Sequence, residues 1–350
     1  MFSPLSILAS RLGYFFEEQP IQPIQPQPKK HRILVLGYGW GSRAFTQQLD
    51  RNLYDVTVMS PVNKRLNQPS MIHHMKATYT EPPSWLTILE DKAIGLDITK
   101  QQVQGSKKTY AYDSLVIATG SEAHDFGVPG VKKHCLMCKS GEDIEAINAK
   151  EKARGAFVLG AGPTGVELAC KLWSQGVQVK LVEAADTILP GFSQEMQRRV
   201  AEYLDDAEIQ VLKGQPISAI TDKEIILKKR AIPYSSDQQL IWTCGIKPEA
   251  FVRSLTGGGA LVVNDELCYK KNVYAIGDAI KGHGPPTAQN AVQQGTYLAD
   301  QFNQRRTGDG YTYREKGRVL DLSHCMFVEV FGTVWYVPYL LTDVVRMALK

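Results

Sequence analysis

Two short glycine-rich segments carry residues whose spacing suits phosphate binding. Each follows a short apolar run, RILVLG or AFVLG, and precedes a stretch of helical character, SRAFTQQL or GVELACKLW. Glycines at such a strand-to-helix turn let the backbone approach a pyrophosphate at the N-terminus of the helix. The residues concerned are Gly37, Gly39, Gly41 and Ser42 in the first segment, and Gly160, Gly162, Pro163, Thr164 and Gly165 in the second. The sequence therefore predicts two dinucleotide-binding turns.

The residue that ends the next strand distinguishes the two turns. In the second unit that strand ends on Glu183, whose carboxylate can accept hydrogen bonds from an adenosine ribose diol. A ribose 2′-phosphate would meet a like charge there, so we expect NADH rather than NADPH. In the first unit the strand YDVTVMS ends on Ser60. We predict Ser60 as a cofactor contact. The second motif is more complete than the first, because it has an acid at the end of the corresponding strand.

Two further apolar runs end in small residues, which allow a backbone to pass close to a ligand. LVIATG ends on Ala118, Thr119 and Gly120, and VYAIGDA contains Gly277 and Asp278. The Asp278 carboxylate can hold a hydroxyl on the ribityl or pyrophosphate side of a dinucleotide. A third strand end, WTCG, places Gly245 as another predicted cofactor contact.

The elements that position these residues alternate between strand and helix, which predicts an α/β fold. The two glycine turns within this alternation predict two Rossmann-like dinucleotide-binding domains. The formal charge of +4 on 350 residues includes no concentrated basic field, so no nucleic-acid partner is expected. Six cysteines in a chain of this length favour a reducing compartment.

In this order, the motifs resemble the two-dinucleotide-binding-domain flavoproteins, and more closely the type II NADH dehydrogenases. The segments that carry the resemblance are VLGYGWGS, YDVTVMSP, AGPTGVELA, LVEAADTILPGF, YAIGDA and PPTAQNAVQQG. The resemblance implies FAD at the first turn, NADH at the second, and hydride transfer between them followed by electron delivery to a quinone. The domains that it implies are an FAD-binding domain over 31–139 with a return segment over 262–308, and an NADH-binding domain over 140–261. It also implies that Glu167, one turn into the second helix, helps to place the nicotinamide.

The segment PPTAQNAVQQG resembles a quinone-side segment of that family. Gln289 and Gln293 are one helical turn apart and share a face. Their neutral amides can donate to quinone carbonyls without introducing a charge, and Ala288 leaves room for a flat ring. We therefore predict Glu167, Gln289 and Gln293 as the residues that serve the reaction.

The chain departs from the family pattern after the first β-α-β unit. Where family members have an aromatic stretch, this chain reads VNKRLNQPSMIHHM, with His73 and His74 in a predicted loop. The flavin environment is therefore in question. This loop at 63–75 is the best support for one alternative, a weakly catalytic regulatory protein that keeps the fold. Another alternative is a related flavin oxidoreductase of the apoptosis-inducing-factor type with another acceptor, and the segment PPTAQNAVQQG argues against it.

A third alternative concerns Cys135 and Cys138, which form a CxxC motif. They would serve a dithiol–disulfide reductase, although their spacing from the second glycine turn does not match such enzymes. A zinc site would need a second pair, and none is suitably spaced, so no metal is expected.

The residues near both ends of the chain are of types that bind to a membrane surface. Residues 1–30 are predicted to lie outside the fold, as an organellar targeting segment or a tethered membrane-surface helix. Residues 309–350 contain Trp335, Tyr336, Tyr339, Arg346 and Lys350, which suit an element lying on a membrane. Packing on the protein body or at a homodimer interface stays open. We expect a peripheral protein of the mitochondrial inner membrane, or alternatively of the cytoplasmic side of a membrane.

Overall fold

A computed structural model describes residues 29–150, 153–305 and 309–338, so the N-terminal segment up to residue 28 and the predicted membrane residues Tyr339, Arg346 and Lys350 lie outside it. Its helices are α1 (Trp40–Gln48), α2 (Gln68–His74), α3 (Val131–His134), α4 (Gly141–Asn148), α5 (Pro163–Ser174), α6 (Gln194–Asp206), α7 (Ala250–Thr256) and α8 (Ala288–Phe302), with a 3-10 turn at Gly277–Ala279.

The strands fall into three consecutive groups along the chain. The first group is β1 (His31–Leu36), β2 (Tyr54–Ser60), β3 (Arg65–Leu66), β4 (Tyr79–Thr80), β5 (Thr87–Glu90), β6 (Ala93–Asp97), β7 (Gln102–Gly105), β8 (Thr109–Ala111), β9 (Ser114–Ile117) and β10 (Ser121–Ala123). The second is β11 (Leu136–Met137), β12 (Gly155–Leu159), β13 (Gln178–Val182), β14 (Gln210–Leu212), β15 (Ile217–Ile220), β16 (Glu224–Leu227), β17 (Ala231–Pro233), β18 (Gln238–Trp242) and β19 (Ile246–Pro248). The third is β20 (Leu261–Val262), β21 (Cys268–Lys270), β22 (Val273–Ala275), β23 (Ile280–Lys281), β24 (Arg318–Asp321), β25 (Cys325–Val330) and β26 (Thr333–Pro338).

The first sheet has six strands in the order β21-β22-β9-β1-β2-β5, all parallel except β21. In β1, one of its two middle strands, residues 33–36 form a buried apolar run, as expected for a strand covered on both faces. Helices α1 and α8 cross closely: a Cβ added to Gly295 would lie 2.2 Å from the carbonyl oxygen of Gly41. The return segment thus completes both the sheet and its helical cover.

The second sheet is entirely parallel, in the order β11-β18-β12-β13-β14. Alternate residues of β12 enter different cores. Ala156 and Val158 pack with the apolar side of α5, whereas Phe157 and Leu159 pack with strands β15 and β16. This sheet positions the second glycine turn at the carboxyl end of β12.

One strand pair connects the parts of the molecule that contain the two sheets, and two elements differ from the expected domain bounds. β10 pairs antiparallel with β19 between the two parallel sheets. Strand β11 belongs to the second sheet, a few residues before the expected boundary at 139. Phe251 and Val252 of α7 lie in the core of the first sheet, although 140–261 was expected to belong to the second domain.

The C-terminal strands β24, β25 and β26 form an antiparallel sheet. Leu320, Phe327 and Val334 join the core of the second sheet, so one face packs on the protein body. On the hairpin of β25 and β26, Phe331 is 99% exposed, Trp335 61% and Tyr336 54%. Among the described residues, no helix has the length and apolar character needed to cross a membrane.

Candidate nucleotide-binding sites

The first glycine turn lies at the carboxyl end of β1. Gly37 has φ +90°, and a Cβ there would lie 2.5 Å from the carbonyl oxygen of Ala118. Only glycine suits both the backbone conformation and that close approach. Ser42, in the place of the third glycine, is fully buried and donates from Oγ to the Gly37 carbonyl oxygen at 2.6 Å. The serine therefore closes the turn from within α1.

Next to this turn, buried donor groups lack acceptors. Gly39 is the N-cap of α1 and makes no side-chain capping hydrogen bond, and a Cβ there would meet nothing within 4 Å. Among the residues that the structure describes, Trp40 Nε1, Thr119 Oγ1 and two guanidinium nitrogens of Arg65 are buried without a partner. Buried donors are normally paired, so an open space with unused donors fits the pyrophosphate of FAD.

A cleft of about 260 Å³ lies beside the 3-10 turn, with Ser121, Gly277, Asp278, Lys247 and Gln294 among its lining residues. Asp278 Oδ2 accepts a hydrogen bond from Ser121 Oγ at 2.5 Å, and Lys139 Nζ lies 3.9 Å from the same oxygen. Gln294 is fully buried and its Oε1 accepts from the Gly277 nitrogen at 2.6 Å. The predicted carboxylate is thus held at the strand end and faces a cleft.

The second glycine turn follows β12. Gly160 has φ +109°, and a Cβ on Gly165 would lie 1.9 Å from the Gly160 carbonyl oxygen, so α5 packs directly on the turn. A Cβ on Gly162, the N-cap of α5, would meet nothing within 4 Å. Pro163 and Thr164 form the start of the helix, where proline is tolerated. This turn also presents an open helix N-terminus suited to a pyrophosphate.

Glu183 follows β13, and its carboxylate is hydrogen-bonded to the second turn. Its Oε2 accepts from the Ala161 nitrogen at 2.7 Å and its Oε1 from the Ala185 nitrogen at 2.8 Å. The predicted ribose-binding acid is therefore held in place by the backbone of the turn. At the equivalent end of β2, Ser60 is 6% exposed and carries no charge.

Glu167 lies on α5 and is tied to the C-terminal sheet. Its Oε1 accepts from the Asp321 nitrogen at 3.1 Å, and Asp321 Oδ2 lies 3.1 Å from His73 Nδ1. Burial raises the pKa of the Glu167 carboxyl to about 8, with a further contribution from the Asp321 carboxylate. Glu167 is therefore an acid that can hold its proton at neutral pH. Sequence reasoning missed Asp321 and expected His73 in a loop, whereas it lies on α2.

The two predicted quinone-side glutamines share a face of α8, as expected. Gln289 Nε2 donates to the Gly317 carbonyl oxygen at 3.1 Å, and its Oε1 accepts from Tyr313 Oη and the Lys316 nitrogen. Gln293 exchanges two hydrogen bonds with the backbone of Arg314. Both amides thus hold segment 313–317, and Ala288 begins the same helix.

Sequence reasoning missed a second amide face on α8. Asn290 and Gln294 are buried, and both donate to the carbonyl oxygen of His283. They order the loop that leads from Asp278 into the helix. The i,i+4 spacing of these two amides in AQNAVQQ was the signal available in the sequence.

The remaining predicted contacts lie at strand ends. Ala118, Thr119 and Gly120 follow β9, and a Cβ on Gly120 would meet nothing within 4 Å. Gly245 has φ +58° and a Cβ there would meet the ring of Phe126 at 2.5 Å. The ligand contacts themselves stay predictions for all of these residues.

The CxxC motif does not form a dithiol site. Cys135 packs into the core that contains Phe157 and Trp242, while Cys138 packs into the opposite core. Burial raises the pKa of both thiols to about 12. Thiolates are the reactive form of cysteine, so this geometry is unsuited to disulfide exchange. Among the described residues, no cluster of three or more His, Cys, Asp or Glu side chains is arranged to hold a metal ion.

Two mitochondrial oxidoreductases are similar in sequence to most of this chain. A probable mitochondrial NADH-ubiquinone oxidoreductase of Schizosaccharomyces pombe is 26% identical over 87% of this chain and 68% of its own length. An external alternative NADH-ubiquinone oxidoreductase of Yarrowia lipolytica mitochondria is 27% identical over 85% of this chain and 64% of its own length. The chain thus spans about two thirds of the length of these relatives. The predicted resemblance to type II NADH dehydrogenases is confirmed.

A solved structure confirms the fold. NDH2 of Plasmodium falciparum in complex with NADH superposes with a TM-score of 0.82 at 18% identity, covering 92% of this chain and 95% of that one. The predicted α/β class with Rossmann-like domains is therefore correct. A family model described as pyridine nucleotide-disulphide oxidoreductase matches residues 31–295. The chain belongs to the pyridine nucleotide-disulphide oxidoreductase family.

Proposed function

We propose that this chain is an FAD-dependent NADH:quinone oxidoreductase. The observation that carries the proposal is the presence of two open glycine turns, at Gly39 and Gly162, on two parallel sheets of one chain. The names of the relatives, NADH-ubiquinone oxidoreductases, support the choice of electron donor and acceptor.

In this proposal, the first turn, Thr119 and Asp278 hold the flavin dinucleotide. The second turn and Glu183 hold NADH, and Glu183 excludes a ribose 2′-phosphate by charge. When bound, FAD would supply the redox chemistry that links hydride donation by NADH to electron delivery to the quinone. The protein contributes binding and orientation, because hydride transfer needs alignment more than a general base.

Glu167 would act beside the nicotinamide. A carboxyl that keeps its proton at neutral pH can donate a hydrogen bond without placing a negative charge near the reacting groups. Its hydrogen bond from the Asp321 nitrogen holds the side chain in place.

Gln289 and Gln293 remain the proposed quinone-side residues. Each amide nitrogen donates one N–H to the backbone of segment 313–317 and has a second N–H that can donate to a quinone carbonyl. Both glutamines also hold segment 313–317 in place, and this structural role favours a second candidate function, a regulatory nucleotide-binding protein with little turnover.

The exposed aromatic side chains Phe331, Trp335 and Tyr336 support peripheral attachment to a membrane. Their indole and phenol groups suit the interface between water and lipid. The relatives are named as mitochondrial proteins, which supports a mitochondrial location, and we propose the inner membrane as the surface to which the protein attaches. A homodimer is compatible with the same surface.

One spectroscopic experiment tests the function. The purified chain should show a flavin absorption band that bleaches on anaerobic addition of NADH and recovers on addition of a soluble ubiquinone. Bleaching without recovery would favour a flavin oxidoreductase with another acceptor. Nucleotide binding without bleaching would favour the regulatory alternative.

A further inference from the structure

We propose that Arg65, seated on the indole of Trp40, forms an anion site for the pyrophosphate of the dinucleotide at the first glycine turn. The inference rests on the proposed function in that the dinucleotide there is FAD. It concerns a residue from VNKRLNQPSMIHHM, the stretch in which this chain departs from its relatives.

Arg65 is buried, and two of its three guanidinium nitrogens have no hydrogen-bond partner among the described residues. Its residue is 5% exposed, and its guanidinium carbon lies 4.0 Å from the centre of the Trp40 ring. Nη2 donates to Thr80 Oγ1 at 3.0 Å, while Nε and Nη1 have no partner among the described residues. Nη2 has a second N–H besides the one given to Thr80, so it can form a two-donor fork with the unpaired Nε or Nη1 and bind one acceptor group.

The charge of Arg65 is also uncompensated. No carboxylate forms an ion pair with it in the part of the chain that the structure describes. Burial lowers the pKa of Arg65, and the positive charge of Arg43 lowers it further. A buried cation beside a second cation is unfavourable unless an anion joins them.

Three further groups that have no hydrogen-bond acceptor within the described ranges lie at the first glycine turn: the N-terminus of α1, an indole nitrogen and a hydroxyl group. Trp40 is the first residue of α1, so Arg65 stacks at the open, uncapped N-terminus of that helix. Trp40 Nε1 is buried without a partner, and so is Thr119 Oγ1 on the neighbouring strand end. Thr119 is close to the turn, since a Cβ on Gly37 would lie 2.9 Å from the Thr119 Cα.

Every unused group in this cluster can donate a hydrogen bond. A pyrophosphate offers only acceptor oxygens and carries negative charge, so it satisfies the helix N-terminus, the indole, the hydroxyl and the guanidinium together. Ser60 provides no acid for the ribose of this dinucleotide. Affinity at the first turn then depends on charge at the phosphates rather than on a ribose-binding carboxylate.

The test measures binding by the full-length protein rather than turnover. FAD, ADP and adenosine are titrated into flavin-free wild-type protein and into Arg65→Met, Arg65→Lys and Arg51→Met variants. Arg51 is the matched control, because its guanidinium also stacks on an indole, Trp85 at 5.0 Å, but its residue is exposed.

We expect Arg65→Met to weaken FAD and ADP binding at least about tenfold each, because a charge-assisted bidentate contact is lost. Adenosine, which lacks phosphate, should bind all forms equally. Arg51→Met should match the wild type within about twofold, since an exposed stacking contact far from the turn does not bind phosphate. Arg65→Lys keeps the charge but not the fork and should fall between the two.

Removing an unpaired buried charge should also leave the flavin-free protein as stable as the wild type or more so. A higher melting temperature together with weaker FAD binding separates ligand binding from a structural role.

Equal FAD and ADP affinity in the wild type and in Arg65→Met would overturn the inference. Tighter FAD binding by Arg65→Met would do the same, because Arg65 would then occupy the place of the dinucleotide. If Arg65→Met does not fold, equality of Arg65→Lys with the wild type decides against the proposal.

The proposed function can fail separately. A wild type that binds ADP through Arg65 but not FAD would leave the anion site intact and refute the flavoprotein. A wild type that binds neither would refute both.

Discussion

The two glycine turns have the same backbone design but opposite electrostatics. The second turn carries its own anion, because Glu183 accepts hydrogen bonds from Ala161 and Ala185. The first turn carries the cations Arg65 and Arg43 and several unused donors. Both turns present an open helix N-terminus, but the second has a fixed carboxylate beside it, whereas the first has cations with which no carboxylate of the described residues is paired.

The two turns therefore bind their dinucleotides in different ways. At the second turn, a fixed carboxylate selects the ribose diol and repels a 2′-phosphate. At the first turn, buried positive charge favours tight retention of a dinucleotide. This division suits a resident flavin at one turn and an exchanging nicotinamide nucleotide at the other.

The largest expected effect comes from filling the space beneath the second turn. Gly165→Ala should destabilise the protein by about 3 kcal/mol or more, because its Cβ would meet the Gly160 carbonyl group. Urea unfolding measures this loss. Gly162→Ala, where a Cβ meets nothing within 4 Å, is the matched control and should stay within about 1 kcal/mol of the wild type. Equal stability of the two variants would contradict the packing of α5 on the turn.

Removing the anion of the second turn should change nucleotide binding more than stability. Glu183→Gln should raise the KM for NADH at least tenfold, since a hydrogen bond to a charged group contributes about 1.5–3 kcal/mol. The flavin content should not change, because the first turn is separate. The exposed Glu224→Gln variant serves as control. An unchanged KM would show that Glu183 only orders the turn.

Glu167 should make stability depend on pH. Its folded-state pKa is raised to about 8, so the folded protein holds a proton that the unfolded chain releases above its ordinary pKa of 4.5. The stabilising effect is therefore present at low pH and decreases from about pH 5 to about pH 8. Glu167→Gln, a neutral isostere that can still accept from the Asp321 nitrogen, should lose less stability over this range.

Chemical unfolding at a series of pH values gives the comparison. Glu142→Gln is a control, because backbone and Ser140 hydrogen bonds lower the pKa of that carboxyl. If Glu167→Gln and the wild type lose stability in parallel, Glu167 is ionised in the folded protein.

The smallest expected effect concerns the cysteines. Cys135→Ala and Cys138→Ala should each leave the rate of quinone reduction within about twofold of the wild type, because the thiols lie in separate cores. A steady-state assay with NADH and a soluble ubiquinone measures this. A loss of turnover in both variants, with flavin content intact, would return the dithiol reductase to consideration.

Local sequence patterns predicted much of the scaffold. Apolar runs ending in GxGxxG-like turns predicted both parallel sheets, and the resemblance predicted the pairing of a first domain with a return segment. These features depend on residues close in sequence, whose backbone requirements do not change with their surroundings. The glutamines at 289 and 293 illustrate the limit, since helical spacing predicted their shared face but not segment 313–317 as their partner.

The sequence by itself determined where the chain turns toward a phosphate, because Gly37 and Gly160 adopt conformations that local chemistry demands. The sequence also predicted the Glu183 carboxylate at the second turn, whereas only the tertiary structure decided the charge at the first turn and the partners of Glu167. It brought Arg65 from β3 onto Trp40, and it joined His73 and Asp321 beside Glu167. Such contacts join residues far apart in the chain, and packing between elements, rather than spacing within one, sets which side chains meet.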